Sequence, residues 1–188
     1  MDFFLDKEFI KEDYTHIKLP KGQYENCTFE GCDFHDSYLD NQHFTECTFV
    51  GCHLSNANIT HTTFNDVVFS HCKMMGIQFG DCNPLLLNFS FEHCTLDHSS
   101  FYEMALNNTH FLECRLKKTD FAQANLKDSL FKDCNFEGAL FDNSNLEACN
   151  FTNSYNLRID PEKNRLKKAR FSKEAALGLL HRYGIIIE

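Results

Sequence analysis

Phe29, Phe49 and Phe69 lie twenty residues apart in this chain, and so do Phe91, Phe111, Phe131 and Phe151. Between Phe69 and Phe91 the gap is twenty-two. Cys32, Cys52 and Cys72, then Cys94, Cys114 and Cys134, keep the same interval and make the same two-residue slip. Two residue types that share one period and one interruption identify a solenoid of about twenty residues per coil. Such a chain stacks its core along one axis and shows flat faces to solvent, which favours function by surface contact.

Inside each twenty runs a period of five. Large apolar residues recur from Phe9, Tyr14, Leu19, Tyr24 and Phe29 to Met74 and Phe79. After the slip they are expected to resume at Leu86 and Phe91 and to continue to Phe151, where the metre fades. Two places before most of them sits a small or thin residue, as at Cys32, Ser37, Ala57, Thr62 and Cys72. A helix repeats near 3.6 residues and a strand at 2, and neither fits five. A square coil does. Each of its four sides spans five residues and turns one large and one small side chain inward. The other positions, mostly Asp, Glu, Asn, His, Thr, Lys and Gly, face water.

Thr119-Asp120-Phe121, Ala124-Asn125-Leu126 and Ser144-Asn145-Leu146 each place a small residue, then Asp or Asn, then Leu or Phe. In this pattern the sequence resembles the pentapeptide-repeat family, over roughly residues 9–155. The resemblance implies an all-β chain, a right-handed quadrilateral β-helix over residues 1–155. A C-terminal extension with a short α-helix and a dimerisation segment would occupy residues 156–188. Architecture of this kind does not by itself fix a function.

The 43% of hydrophobic residues supplies a core, yet no run of eighteen apolar residues occurs, so no membrane span is expected. The opening Met1-Asp2-Phe3-Phe4-Leu5-Asp6 lacks a basic region followed by a long apolar stretch. It does not read as a signal peptide, and a cytoplasmic location is expected.

The 10 cysteines form no CxxC pair. Those on the metre take the small inward position, where cysteine serves as a buried hydrophobe. Most of the 10 histidines, among them His35, His53, His71 and His93, fall at outward positions without a zinc-site spacing. No cofactor and no metal are expected. Phosphate loop, GxSxG elbow and HExxH helix are all missing from the sequence, so the expected class is a binding protein, not an enzyme.

Charge is uneven. Between Gly22 and Glu113 the only basic residue is Lys73, against acidic residues that include Asp33, Asp36, Glu46, Asp66 and Glu92. These five are the candidate partner-binding acidic face. A regular negative rod would attract a protein surface built to hold DNA, and it argues against direct nucleic-acid binding by the coil. The bland reading is a polar face kept for solubility.

Pro161 marks the exit from the coil. Ser172 is a suitable helix N-cap, Glu174 suits the first turn, and Gly184 suits the C-terminal end. Leu177, Leu180 and Tyr183 share one apolar face, followed by Ile185-Ile186-Ile187, read as a strand-like end. Such an end must be covered, by its own coil or by the same tail of a second copy. Ile159, Asn164-Arg165, Glu174-Ala175, Leu177, Leu180, Arg182 and Gly184 resemble the end of the microcin B immunity proteins, and the Qnr proteins end similarly. That resemblance implies a homodimer joined through the C-terminal segment. It also implies a type II topoisomerase, DNA gyrase, as partner, protected from a poison by a DNA-like acidic surface. Qnr proteins carry longer loops than the slip seen here, in Gly80-Asp81-Cys82-Asn83-Pro84, whose Asn-Pro step signals a turn. The slip reads either as a tolerated bulge or as a small interaction loop. A scaffold for an unrelated regulatory partner is the alternative function.

Overall fold

The computed structural model describes residues 2–186. The chain winds as a β-solenoid of about eight turns, the quadrilateral β-helix that the spacing implies, and a short helix follows it. Side one is a four-stranded parallel sheet of Asp2–Leu5, Gly22–Glu25, His43–Thr45 and Thr63–Asn65. Side two is a nine-stranded parallel ladder from Glu8–Ile10 to Arg170–Phe171. Sides three and four are joined by single bridges, such as Asp13 to Asp33 to His53 to Lys73 and Gln78 to Ser100 to Asp120 to Leu140.

The phenylalanines form the expected column on side two, and it is longer than the sequence suggested. Phe9 pairs in register with Phe29 and Phe151 with Phe171, so both ends gain a member. Successive rings stack with centroids 4.6–5.4 Å apart and planes within 23° of parallel. Rings of neighbouring columns meet edge to face, as for Phe101 and Phe111 at 5.7 Å and 89°. Offset stacks along the axis and edge contacts across it are the two favourable aromatic geometries, and both serve to fill the core with fully buried rings.

The small inward position does more than save space. Ser99, Ser129 and Ser144 each donate a hydroxyl hydrogen bond, 2.7–2.8 Å long, to a carbonyl of the preceding coil. The thiols of Cys52 and Cys134 point at the equivalent carbonyls, those of Phe29 and Phe111, both at 3.2 Å.

The corners obey an equally strict rule. Two residues after most large inward residues the backbone takes positive φ: Asn26, Asp36, Asn41, Glu46, Asn56, His61, Asp66 and His71 lie between 50° and 58°. Asn, Asp and His enter this region at lower cost than other L-residues. Many of the outward Asp, Asn and His are therefore where a corner needs them. Corner N–H groups still reach the next coil, as from Glu46 to the Asn65 carbonyl at 2.8 Å.

Three expectations are corrected. Leu86 does not resume the core; it is 75% exposed, and Phe89 fills the interior instead. The coil does not stop near residue 155: Leu157 and Ile159 are buried, Asn145 bridges to Arg165, and Arg170–Phe171 adds a strand. Leu166 and Phe171 in fact keep the metre of five after Phe151, across an Asn and a Pro that hide it. Ile185 and Ile186 form no strand, and Ile187 lies outside the described residues.

The tail folds back on the last coil. Ser172 caps the α-helix Lys173–Ala176 by accepting from the Ala175 N–H at 3.2 Å, and a 3-10 helix, Leu177–Tyr183, continues to Gly184 at φ 60°. Gly178 sits so close to Leu157 that a Cβ would overlap its carbonyl oxygen. Arg182 binds Asp160 at 2.6 Å and Glu162 at 2.9 Å.

Truncating Phe111→Ala in mid-column should cost about 3–5 kcal/mol in urea denaturation, whereas Val68→Ala on the outer face should stay within about 1 kcal/mol. Equal costs would contradict the stacked core.

Candidate functional site

The five acidic residues picked out in the sequence do not share one face. Asp33 lies on side three, where its carboxylate is 3.6 Å from His53 and accepts the His35 N–H at 2.9 Å. Asp36 sits on the corner between sides three and four, 3.1 Å from the His35 ring. Glu92 is on side two, with His93 at 3.8 Å. Glu46 and Asp66 occupy consecutive coils on the corner between sides one and two, each at φ 53°. Asp36 and Glu46 are ten residues apart in a twenty-residue coil, so their corners are diagonally opposite.

Side one gathers more than the sequence indicated. Asp6 precedes Glu46 and Asp66 on the same corner, Glu25 stands on the sheet beside them, and Asp81 lies at the other edge of the side, where its carbonyl accepts the His61 N–H at 2.8 Å. Among the described residues, no ion pair engages Asp6, Glu25, Glu46, Asp66 or Asp81. Lys21, on the far corner, is taken up by Asp40 at 2.9 Å, and its hydrogen bond holds the Asp40 carboxyl below the usual carboxylate range. By contrast Asp97, which also lies between Gly22 and Glu113, is buried and bound to Arg115 at 2.8 Å.

The slip emerges on this side. Gly80 and Asp81 belong to one 3-10 turn, Cys82 is buried, and the Asn83 N–H still donates to the Thr62 carbonyl at 2.9 Å. The Asn83 side chain accepts from the Leu85 N–H at 3.0 Å and turns the chain outward. Asn88 rejoins the ladder through the Phe64 carbonyl at 2.9 Å. Thus Gly80 to Asn83 remain in the coil, and Pro84, Leu85 and Leu86 project. The signal that locates them is Leu85-Leu86-Leu87, three consecutive leucines with no place in a metre of five. Leu86 overhangs the outer face of the sheet, where a shallow trough of about 260 Å³ runs toward Phe3 over Gln23, His43 and Thr63. Phe3 is 57% exposed.

At the tail, Leu177, Leu180, Tyr183, Ile185 and Ile186 remain exposed in the single chain, while Leu179 packs on the core. No metal-binding cluster occurs among the described residues, and no helix of them is long and apolar enough to cross a membrane.

A pentapeptide repeat region matches residues 23–89 and 85–157. The chain belongs to the pentapeptide-repeat family. Curated proteins yield no match. Among solved structures, one trypsin-treated variant of QnrB1, a plasmid-mediated fluoroquinolone resistance protein, is 19% identical, with a TM-score of 0.77 over 100% of this chain and 92% of that one. A second treated variant gives 0.65 at 19% identity, covering 100% of both chains. HetL from the cyanobacterium Nostoc sp. strain PCC 7120, a pentapeptide repeat protein involved in heterocyst differentiation regulation, is 12% identical with a TM-score of 0.64, over 89% of this chain and 82% of that one. At these identities the likeness is one of fold.

All 10 cysteines are free and buried. Burial pushes the thiols of Cys47, Cys82 and Cys149 up to about 12. Native protein at mildly alkaline pH should therefore be nearly inert to a thiol-specific disulfide reagent and react fully in denaturant. Rapid reaction of several thiols in the folded state would contradict their inward placement.

Proposed function

We propose that this chain is a non-enzymatic interaction protein that binds a type II DNA topoisomerase, DNA gyrase, as an acidic mimic of DNA and protects it from a quinolone- or microcin-type poison. The observation that carries this reading is side one, whose carboxylates at Asp6, Glu46 and Asp66 form no ion pair among the described residues and stand at coil spacing along the solenoid. A surface evolved to grip a phosphate backbone meets comparable charge there. The shared fold with QnrB1, named for fluoroquinolone resistance, supports it. The exposed tail residues Leu177, Leu180, Tyr183, Ile185 and Ile186, with Ile187 beyond the described residues, are proposed to join two copies into a dimer. The C-terminal extension serves as its dimerisation segment. The second reading, a scaffold for an unrelated regulatory protein, draws on the spread of Asp33, Asp36 and Glu92 over other sides and on the fold shared with HetL.

Gyrase supercoiling and poison-induced cleavage, assayed with increasing protein, test the first reading. Binding should weaken steeply with salt and be abolished by Glu46→Lys with Asp66→Lys. The fold should survive these changes, because Lys11, Lys118 and Lys168 already occupy equivalent corners at φ 53–64°. Shortening the projection at Pro84 to Leu86 should spare binding and reduce protection. Gyrase indifferent to a large molar excess of wild-type protein would leave the scaffold reading. For the tail, light scattering should give a dimer at micromolar concentration, and deletion of residues 173–188 should give a monomer or an aggregate; a monomeric full-length chain would refute the dimer.

A further inference from the structure

The outer face of side one has features that a general acidic surface does not need. Two large apolar side chains, Phe3 and Leu86, stand exposed at the ends of one trough. Its floor is polar and short, with Gln23, His43 and Thr63 in consecutive coils. Glu25 lines the trough, Asp6, Glu46 and Asp66 stand on the corner that borders it, and none of the four forms an ion pair among the described residues. Asn26 donates to Asp6 at 2.7 Å and Asn88 donates to Asp66, so two of the three on the corner are held in place by the neighbouring coil.

We infer that side one is a docking trough for one basic amphipathic α-helix of a partner protein, lying along the coil axis with its cations on the Asp6–Glu46–Asp66 rim and its apolar residues against Phe3 and Leu86. The inference rests on the DNA-mimic reading and names the element that is gripped. Register argues for a helix. Coils rise by ~4.8 Å. A helix advances ~5.4 Å per turn and returns a side chain to the same face every three or four residues. One helical turn thus meets about one coil, and over two coils the mismatch is only ~1.2 Å. An extended strand along the same axis repeats every ~6.6 Å and is out of step by ~3.6 Å over the same distance. Glu46 and Asp66, one coil apart, would take cations four residues apart, and Asp6, two coils beyond Glu46, a cation about two turns further on. The trough spans about four coils, or ~19 Å, which matches a helix of roughly thirteen residues. Basic helices of this size are common elements of DNA-reading proteins.

A fluorescent, covalently stapled helical peptide tests this, with Arg at i, i+4 and i+11 and Leu at both ends of the adjoining face. It is titrated into the full-length chain at low salt, beside a scrambled peptide of equal charge. The designed peptide should bind at least about tenfold more tightly than the scramble. The E46Q/D66N variant should lose about tenfold in affinity, and L86N about fivefold, while E113Q/D133N on another corner should stay within about twofold. Gln and Asn already stand at corners in Gln123 and Asn56, at φ 59° and 56°, so these variants retain the backbone, and circular dichroism checks it. Equal binding of the scramble, or equal loss in E113Q/D133N, would reduce the effect to bulk charge and overturn the inference. If the peptide seats on side one but gyrase ignores the protein, the topoisomerase reading falls and the trough stands. If gyrase binds wild type and E46Q/D66N alike, the trough falls and the topoisomerase reading stands.

Discussion

A chain that must turn a corner every five residues needs, at nearly every corner, a residue willing to adopt a left-handed backbone. That constraint underlies the rest of this structure. Asn26, Asp36, Asn41, His61 and Asp66 satisfy it, with Gly31 and Gly51 where a side chain is absent. Because most corners keep their N–H in the ladder, as Asn26, Asp36, Asn41 and Glu46 do, the coil closes into a square with few interruptions of the hydrogen bonds between turns. The same rule populates the edges with short polar side chains. Much of the acidic and histidine-rich character of the surface is thus a by-product of how the chain bends. Function is therefore read from where corner carboxylates are combined with groups that corners do not require, as Glu46 and Asp66 are with the exposed Phe3 and Leu86.

Within the square, each side supplies one large and one small residue, and both bind the turns together. The large ones stack ring on ring. The small ones point a hydroxyl or thiol at the carbonyl one coil back, as Ser129 does to Leu106 and Cys52 to Phe29. Cysteine, serine and threonine can therefore exchange along one column with little change in shape. This explains a cysteine content that would otherwise suggest disulfides or metal: the thiol here is a small buried group with a weak donor.

Periodicity made the interior legible. Phe29 to Phe151 fell in one column because spacing alone determines which residues share a side, and Ser172 and Gly184 marked the ends of the tail helix by local backbone chemistry. Surface sites were less readable. Outward positions recur on every side, so a list of carboxylates mixes residues from opposite corners, as with Asp36 and Glu46. The slip showed the same limit. Its length was evident, but whether Asn83 or Leu86 left the coil depended on which groups kept their carbonyl partners. The last coil was hidden because Asn156 and Pro161 occupy places where large apolar residues otherwise stand.

The projecting Pro84-Leu85-Leu86 interrupts the side-one sheet after its fourth strand, and this gives the rod a fixed unit of length. Between Phe3 and the foot of the projection at Asn83 lie four turns of twenty residues each. A relative that gained or lost a repeat here would move the overhang by one full step of ~4.8 Å and preserve every side-chain direction. Spacing between the two ends of the trough can change only in such jumps. A partner matched to it would discriminate among relatives by counting turns, with no need to read individual residues.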